Sequence, residues 1–313
     1  MLRPFQARDG PRMAELVVQF FPEEGELLRW RPGSFEAIVA RAFRPHFRFL
    51  LWLLEKLRHP IVKVFAIEAD GKFVGGAILA FPVRAGYVSS VVVDAPYRGR
   101  GYATQIVRAC EASAARFGKP YVALDVLELN TTAKALYVKL GYQLLRRQAY
   151  YVRDYDAPAG PPTPVPSEIR PFVSRDAPAL VPIANGMLPP LVAEVLPANA
   201  RQFTSVPLVA EGLRSETEAW VIDRGHGAEG FVRATVSAAT ESGHLTAPIL
   251  APGVPDDVAR AAVRTGVDWL VQKRIRRVVC EMPGYNTAGI AALTGEGFRE
   301  ALILETLYHP LAH

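Results

Sequence analysis

The run Val91-Val92-Val93-Asp94-Ala95-Pro96-Tyr97-Arg98-Gly99-Arg100-Gly101-Tyr102-Ala103 passes from three β-branched residues, through a glycine-rich turn, into a helical pattern. β-Branched side chains favour a strand. Gly99 and Gly101 suit a tight turn and a close backbone approach. Beyond them Ile106, Val107, Cys110 and Ala114 recur at helical spacing, which predicts a helix over 101–117. A helix N-terminus presents unpaired N–H groups and a partial positive charge, so this turn predicts a phosphate cradle to which Arg98 and Arg100 add charge. It is not a P-loop, because no Gly-Lys-Ser/Thr follows, and Thr104 occupies the third glycine position of a dinucleotide fingerprint. Such turns serve structure as often as they serve a ligand.

On either side of this run the pattern alternates strand and helix. Val62–Glu68 and Phe73–Phe81 read as a hairpin about Ala69-Asp70-Gly71-Lys72, and Tyr87–Val93 as a further strand. Tyr121–Val126 is an apolar strand, Thr132–Leu140 a helix closed by Gly141, and Tyr142–Tyr155 a last strand. This order implies an α/β fold with a mixed, partly parallel central sheet and helices on both faces. Between the first helix and the hairpin lie two further expected helices, Ser34–Phe43 and His46–Leu57. The second is apolar all round at Phe49–Leu54, which suits a core or inter-domain face more than a substrate pocket. His46 and His59 flank it and read as surface or packing residues; Arg29, Arg31, Arg41, Arg44, Arg48 and Arg58 read as a solvated face before an acidic-substrate or RNA surface.

The pattern then occurs a second time. Leu2-Arg3-Pro4-Phe5-Gln6-Ala7-Arg8-Asp9-Gly10-Pro11 aligns with Ile169-Arg170-Pro171-Phe172-Val173-Ser174-Arg175-Asp176-Ala177-Pro178, identical at six of ten positions. Asn130 through Gly141-Tyr142 aligns with Asn286 through Gly297-Phe298, with the same spacing of 11 from Asn to Gly. Two matches in the same order indicate one fold written twice. Between them the stretch 157–167 holds five prolines, which neither helix nor sheet can traverse. The expected organisation is therefore a first domain over 1–156, a linker over 157–167 and a second domain over 168–313.

Composition agrees with this division. At 313 residues, half apolar and 21% charged, the chain is too long for one typical domain and too apolar to be disordered. Residues 1–156 carry 23 Lys/Arg against 15 Asp/Glu, whereas 157–313 carry 13 against 16, so the first half should prefer an anionic ligand. Arg outnumbers Lys 29 to 7, and no base-stacking aromatic motif accompanies that charge, so nucleic acid is not the expected partner. Cys110 and Cys280 stand 170 residues apart with no metal-ligand spacing, which predicts neither a zinc site nor a disulfide framework. No apolar leader or membrane-length stretch is present, and the expected location is the cytoplasm.

Arg98-x-x-Gly101-x-Ala103, after a β-branched strand and before a helix, resembles the acetyl-CoA signature of the GCN5-related N-acetyltransferases (GNAT). Downstream, Leu124-Asp125-Val126-Leu127-Glu128-Leu129-Asn130, then Ala133, Leu136-Tyr137 and Lys139-Leu140-Gly141-Tyr142, resembles that family's closing strand–helix motif, closest to the ribosomal-protein N-terminal type. The resemblance covers about residues 1–155. It implies that the backbone of Val91, Val92 and Val93 pairs with the pantetheine arm of acetyl-CoA, and that the amides of Arg98, Gly99, Arg100, Gly101, Tyr102, Ala103 and Thr104 hold its pyrophosphate. Asn130 would bond the co-substrate near its reactive end, and Tyr137 would protonate the departing thiolate. A neutral amine attacking a thioester must also give up a proton. Asp125 stands where the family places a glutamate; Glu68, Glu128 and a direct water route are alternatives. Strand alternation puts Asp125 and Glu128 on opposite faces.

The second repeat departs from this pattern. Leu250–Val258 replaces the Arg-Gly-Arg-Gly turn, with Asp256 and Asp257 expected to cap the helix and repel a pyrophosphate, and Leu293 stands where Tyr137 would. The implied function is acetyl transfer from acetyl-CoA to a primary amine of a small molecule or peptide by the first repeat, with a silent second. An acyl-CoA sensor without turnover and a ribosome- or RNA-associated acetyltransferase are the rival readings.

Overall fold

The computed structural model describes residues 1–34, 36–37, 40, 45–82, 84–155, 164–204 and 215–311. Most of the proline-rich stretch and much of the expected Ser34–Phe43 helix lie outside the described residues.

The first repeat contributes β1 (Leu2–Pro4), α1 (Gly10–Phe20), α2 (Pro22–Leu28), α3 (Pro45–Lys56), β2 (Val62–Ala69), β3 (Lys72–Ala80), β4 (Ala85–Val93), α4 (Tyr102–Arg116), β5 (Tyr121–Leu127), α5 (Thr131–Lys139) and β6 (Gln143–Asp154). The second contributes β7 (Ile169–Pro171), α6 (Ala177–Gly186), α7 (Pro190–Val195), α8 (Arg201–Thr204), β8 (Ser215–Ile222), β9 (Gly230–Ser237), β10 (Gly243–Leu245), β11 (Ile249–Leu250), α9 (Asp256–Gln272), β12 (Arg277–Pro283), α10 (Thr287–Gly295) and β13 (Arg299–Pro310). The tandem mixed α/β architecture expected from the sequence is the one observed. Pro45 opens α3, as its fixed φ and missing N–H allow at a helix start.

All strands join one sheet, ordered β1-β2-β3-β4-β5-β13-β6-β12-β10-β9-β8-β7, with β11 beside β9. The last strands of the two repeats are exchanged. β13 pairs antiparallel with β5 and β6, and β6 pairs antiparallel with β12. Parallel pairing occurs at two equivalent places among the described strands, β4 with β5 and β10 with β12. The exchange creates a pseudo-twofold axis between β13 and β6. Gln148 and Leu304 each stand eighteen residues after the asparagine that marks their repeat, and they face each other across that axis.

The repeated sequences are structural fastenings. Arg3 grips Asp9 with two hydrogen bonds of 2.7 and 2.8 Å, and Arg170 grips Asp176 with two of 2.9 Å. Each arginine also binds an acid on the neighbouring strand, Glu68 at 2.6 Å or Asp223 at 3.0 Å. Bidentate pairs of this kind are geometrically specific, and the Arg170 bonds hold the Asp176 carboxyl below its ordinary range. The first-repeat core packs α4 (Ile106, Val107, Cys110, Ala114) on Leu79, Val88, Val122 and Leu124. Burying each such aliphatic side chain contributes about 1.5–3 kcal/mol. Cys110 sits inside this core, where burial first and Glu111 second push its thiol up to about 12. It is a packing residue.

The other sheet face is covered crosswise. Leu27 of α2 packs on Val152 and Val279, while Val192 and Val195 of α7 pack with Ala85, Ala123 and Leu145. Each repeat's second helix thus lies on strands of both repeats. The chain after α2 is pinned to the second repeat by Arg31 N–H to the Ala239 carbonyl (2.9 Å) and Ser242 Oγ to the Leu28 carbonyl (2.6 Å).

Candidate functional site

The glycine-rich turn leads out of a splayed pair of strands. β4 and β5 pair only from Ala85–Tyr121 to Val88–Leu124. Beyond Val88 a bulge intervenes, with Ser90 at φ 53° and a register shift against β3. Val92 and Val93 stay bonded to β3 at Gly76 and Gly75, so their other edge faces an opening towards β5. Gly99 and Gly101 adopt φ 73° and 78°, conformations that L side chains rarely take, with open space where a Cβ would project. Gly101 is the N-cap of α4, whose first turn carries no acidic residue. The amides from Gly101 to Thr104 therefore have no intrahelical acceptor. Arg98 braces the turn, donating Nε to the Val93 carbonyl at 3.1 Å and lying over the Phe20 ring. An extended backbone edge leading to a ring of free amides fits a pantetheine arm ending in a pyrophosphate.

Tyr137 lies on the α4 side of the sheet, in the cluster with Val91, Val93, Val126 and Cys110. Its hydroxyl has no hydrogen-bond partner among the described residues, and burial raises its pKa above the usual tyrosine range. It remains a proton donor at neutral pH. Asn130 uses Oδ1 to cap α5 at the Ala133 amide (3.1 Å), and its Nδ2 is exposed without a protein partner among the described residues.

Asp125 projects from the opposite face. It accepts from the Tyr87 hydroxyl and from Thr306 Oγ1 (2.6 Å), the latter on the exchanged strand β13. Arg146 Nε reaches Thr306 Oγ1 at 3.2 Å, and Arg146 Nη1 reaches the Tyr285 hydroxyl at 3.4 Å. The other acid candidates are engaged elsewhere. Glu68 belongs to the Arg3 fastening at the sheet edge, and Glu128, on the other face, binds Arg147. Of the three, Asp125 is the one that joins the polar group lying between α2 and α7.

That polar group contains residues the sequence reading passed over. Glu281 and Tyr150 pair directly across β12 and β6. Burial first, then Glu281, Glu24 and Asp125, drive the Tyr150 phenol well above its ordinary value. Glu281 is pushed up to about 7 by burial and by Asp125, opposed by Arg146; Glu24 of α2 reaches about 7 through burial, Glu23 and Asp125. Glu281 and Ser89 touch solvent although both lie on interior strands, so the sheet here floors a trough. Gln148, on the same face as Tyr150 and 2% exposed, has no partner for either Oε1 or Nε2. The legible signal was a carboxylate in the apolar run Val278-Val279-Cys280-Glu281-Met282, five residues before Asn286 as Asp125 is before Asn130.

The equivalent splay in the second repeat is closed. Ile222 and Gly230 occupy the register of Ile67 and Gly75, so Leu250, Ile249 and Pro248 stand where Val93, Val92 and Val91 do. Pro248 has no N–H, and its carbonyl is taken by Asn286 Nδ2 at 2.8 Å. Gly289, where the first repeat has Ala133, permits this, since a Cβ there would lie 2.7 Å from Asn286 Nδ2. Asp256 and Asp257 occupy the first turn of α9, but neither makes a side-chain cap, because Pro255 is the N-cap. Their effect is electrostatic alone. A cavity of about 720 Å³ persists there between α6, α9 and α10.

Residues 25–142 match the model of the acetyltransferase (GNAT) family. The chain is 29% identical over 153 residues to the uncharacterized N-acetyltransferase YycN of Bacillus subtilis, covering 46% of this chain and 92% of that protein. Over its full length it is similar to a tandem GNAT protein from the clavulanic acid biosynthesis pathway (16% identity, TM-score 0.63, 100% of this chain and 99% of that one). It is similar also to a GCN5-related N-acetyltransferase from Sphaerobacter thermophilus (17%, TM-score 0.62, 100% and 96%). Residues 25–142 are thus similar to the GNAT acetyltransferases, and the whole chain has the tandem GNAT fold. No helix among the described residues is long and apolar enough to cross a membrane.

Proposed function

We propose that the first repeat transfers an acetyl group from acetyl-CoA to a primary amine and that the second repeat carries out no transfer of its own. The observation that carries this reading is the β4–β5 splay running into the free amides of Gly101 to Thr104. Acetyl-CoA supplies an activated thioester; the chain's residues bind, orient and move protons. The backbone edge of Val91 to Val93 aligns the arm, and the amides from Gly99 to Thr104 hold the diphosphate, the Arg98 amide being bonded to the Ala95 carbonyl instead. Tyr137, kept protonated by burial, donates to sulfur as the C–S bond breaks. Asp125, with two of its carboxylate lone-pair sites engaged and others open, accepts the amine proton directly or through water as the C–N bond forms. In the second repeat Leu293 replaces the donor, and Pro248 with Asn286 closes the edge.

Titration calorimetry with acetyl-CoA should give one site per chain; two sites of equal affinity would overturn the silent-repeat reading. Tyr137→Phe should lower kcat about 100-fold, the lower end for a lost proton donor, while calorimetric affinity for acetyl-CoA stays near that of the parent. Unchanged kcat across a panel of amines would remove Tyr137 from the mechanism.

A peptide N-terminus is the second acceptor reading, drawn from the motif resemblance of Leu124–Tyr142 alone. Selective acetylation of ribosomal-protein N-terminal peptides over small amines would favour it.

A further inference from the structure

The trough lies on the pseudo-twofold axis and is built equally from both repeats. Asp125 with Thr306, and Glu281 with Tyr150, are counterparts: each acid is five residues before its asparagine, and each partner is twenty after the other repeat's asparagine. The exchange of β6 and β13 therefore brings into one cleft two carboxylates that would otherwise sit in separate domains. Glu24 on α2 adds a third, against one guanidinium, that of Arg146. When ionised the cleft holds two negative charges in excess.

Like charges gathered in this way repel one another unless an opposite charge enters. No group of three acidic or metal-ligating side chains among the described residues is gathered closely enough to ring a metal ion, which points to an extended cation. Gln148 supplies the independent sign of a ligand. It sits on the axis, 2% exposed, between Arg146 and Tyr150 along β6, with an amide oxygen and nitrogen both unsatisfied. Its counterpart Leu304 shows that the position accepts an apolar side chain. A buried primary amide retained without a partner costs stability, and a bound polar molecule would satisfy it.

We infer that the trough binds a small acceptor carrying two amino groups, one presented beside Asp125 for acetylation and the other held by Glu281 and Glu24, with the Gln148 amide bonded between them. This rests on the acetyltransferase reading and deepens it. The second repeat then acts through Glu281, a binding residue for the first repeat's acceptor.

The test uses the full chain, α,ω-diaminoalkanes of three to eight carbons and the matching n-alkylamines, with thiol release from acetyl-CoA as the readout. The best diamine should exceed its monoamine at least tenfold in kcat/KM. Glu281→Gln should collapse that ratio towards one, chiefly by raising KM for the diamine. If Glu281→Gln does not fold, Gln148→Leu, which installs the counterpart residue, should lower the same ratio several-fold. Calorimetric titration of the diamines reads the site without turnover. Equal kcat/KM for diamines and monoamines, a proportional loss for both in the variants, or no diamine binding would overturn the inference. Failure of acetyl-CoA itself to bind, with diamine binding intact, would instead count against the transferase reading alone.

Discussion

Gly101→Glu is expected to weaken acetyl-CoA binding at least 100-fold, a loss of about 2.7 kcal/mol. Two effects act together. At φ 78° an L side chain costs roughly 1–2 kcal/mol through contact with its own backbone. The added carboxylate then stands at the N-cap of α4, where it competes for the amides of Ala103 and Thr104 and repels a diphosphate. Gly101→Ala separates the two, since it carries the strain without the charge and nothing in the protein lies within 4 Å of the new Cβ. Calorimetry should show Ala losing about tenfold and Glu far more. Equal affinity of Gly101→Glu and the parent would move the cradle elsewhere. The second repeat already carries the acidic version, with Asp256 and Asp257 in the first turn of α9.

The first repeat alone is expected not to fold as a monomer. A chain ending at residue 155 would lack β13, which pairs over seven positions with β5 and nine with β6. Its loss exposes Leu124, Val126 and Leu145, and unpairs the backbone of two adjacent strands in mid-sheet. Open edges of that length seek another strand. The fragment should aggregate, or form a dimer in which each β6 takes the place of the missing β13. Analytical ultracentrifugation and denaturant melts decide this; a monomer with a cooperative unfolding transition would contradict the exchanged order. Adding residues 168–313 as a separate chain should restore a soluble heterodimer.

Much of the fold was legible. The turn at Gly99–Gly101 and the helix with Ile106 and Cys110 inside appear where local rules placed them, and the Arg–Asp sequences were legible as a repeat though not as ion pairs. The exchange of β6 and β13 was not legible, because both final strands carry apolar faces of equal length. Nothing local tells β13 whether to pair beside β12 or beside β5. For the same reason Glu281 escaped notice. Within its own repeat it is a carboxylate beside a closed splay; only the exchanged order places it near Asp125.

The exchanged strands also govern when this protein can become itself during synthesis. Thr306 meets Asp125 across 181 residues of chain. The ribosome releases β5 long before β13, so the middle of the first repeat waits with unpaired backbone until residues 304–310 have emerged. Contacts of such long sequence separation close slowly. The nascent chain therefore passes through a prolonged interval with two open edges and an unfinished trough. Slow translation between β5 and β13 would lengthen that exposure, and demand for chaperones should rise in proportion.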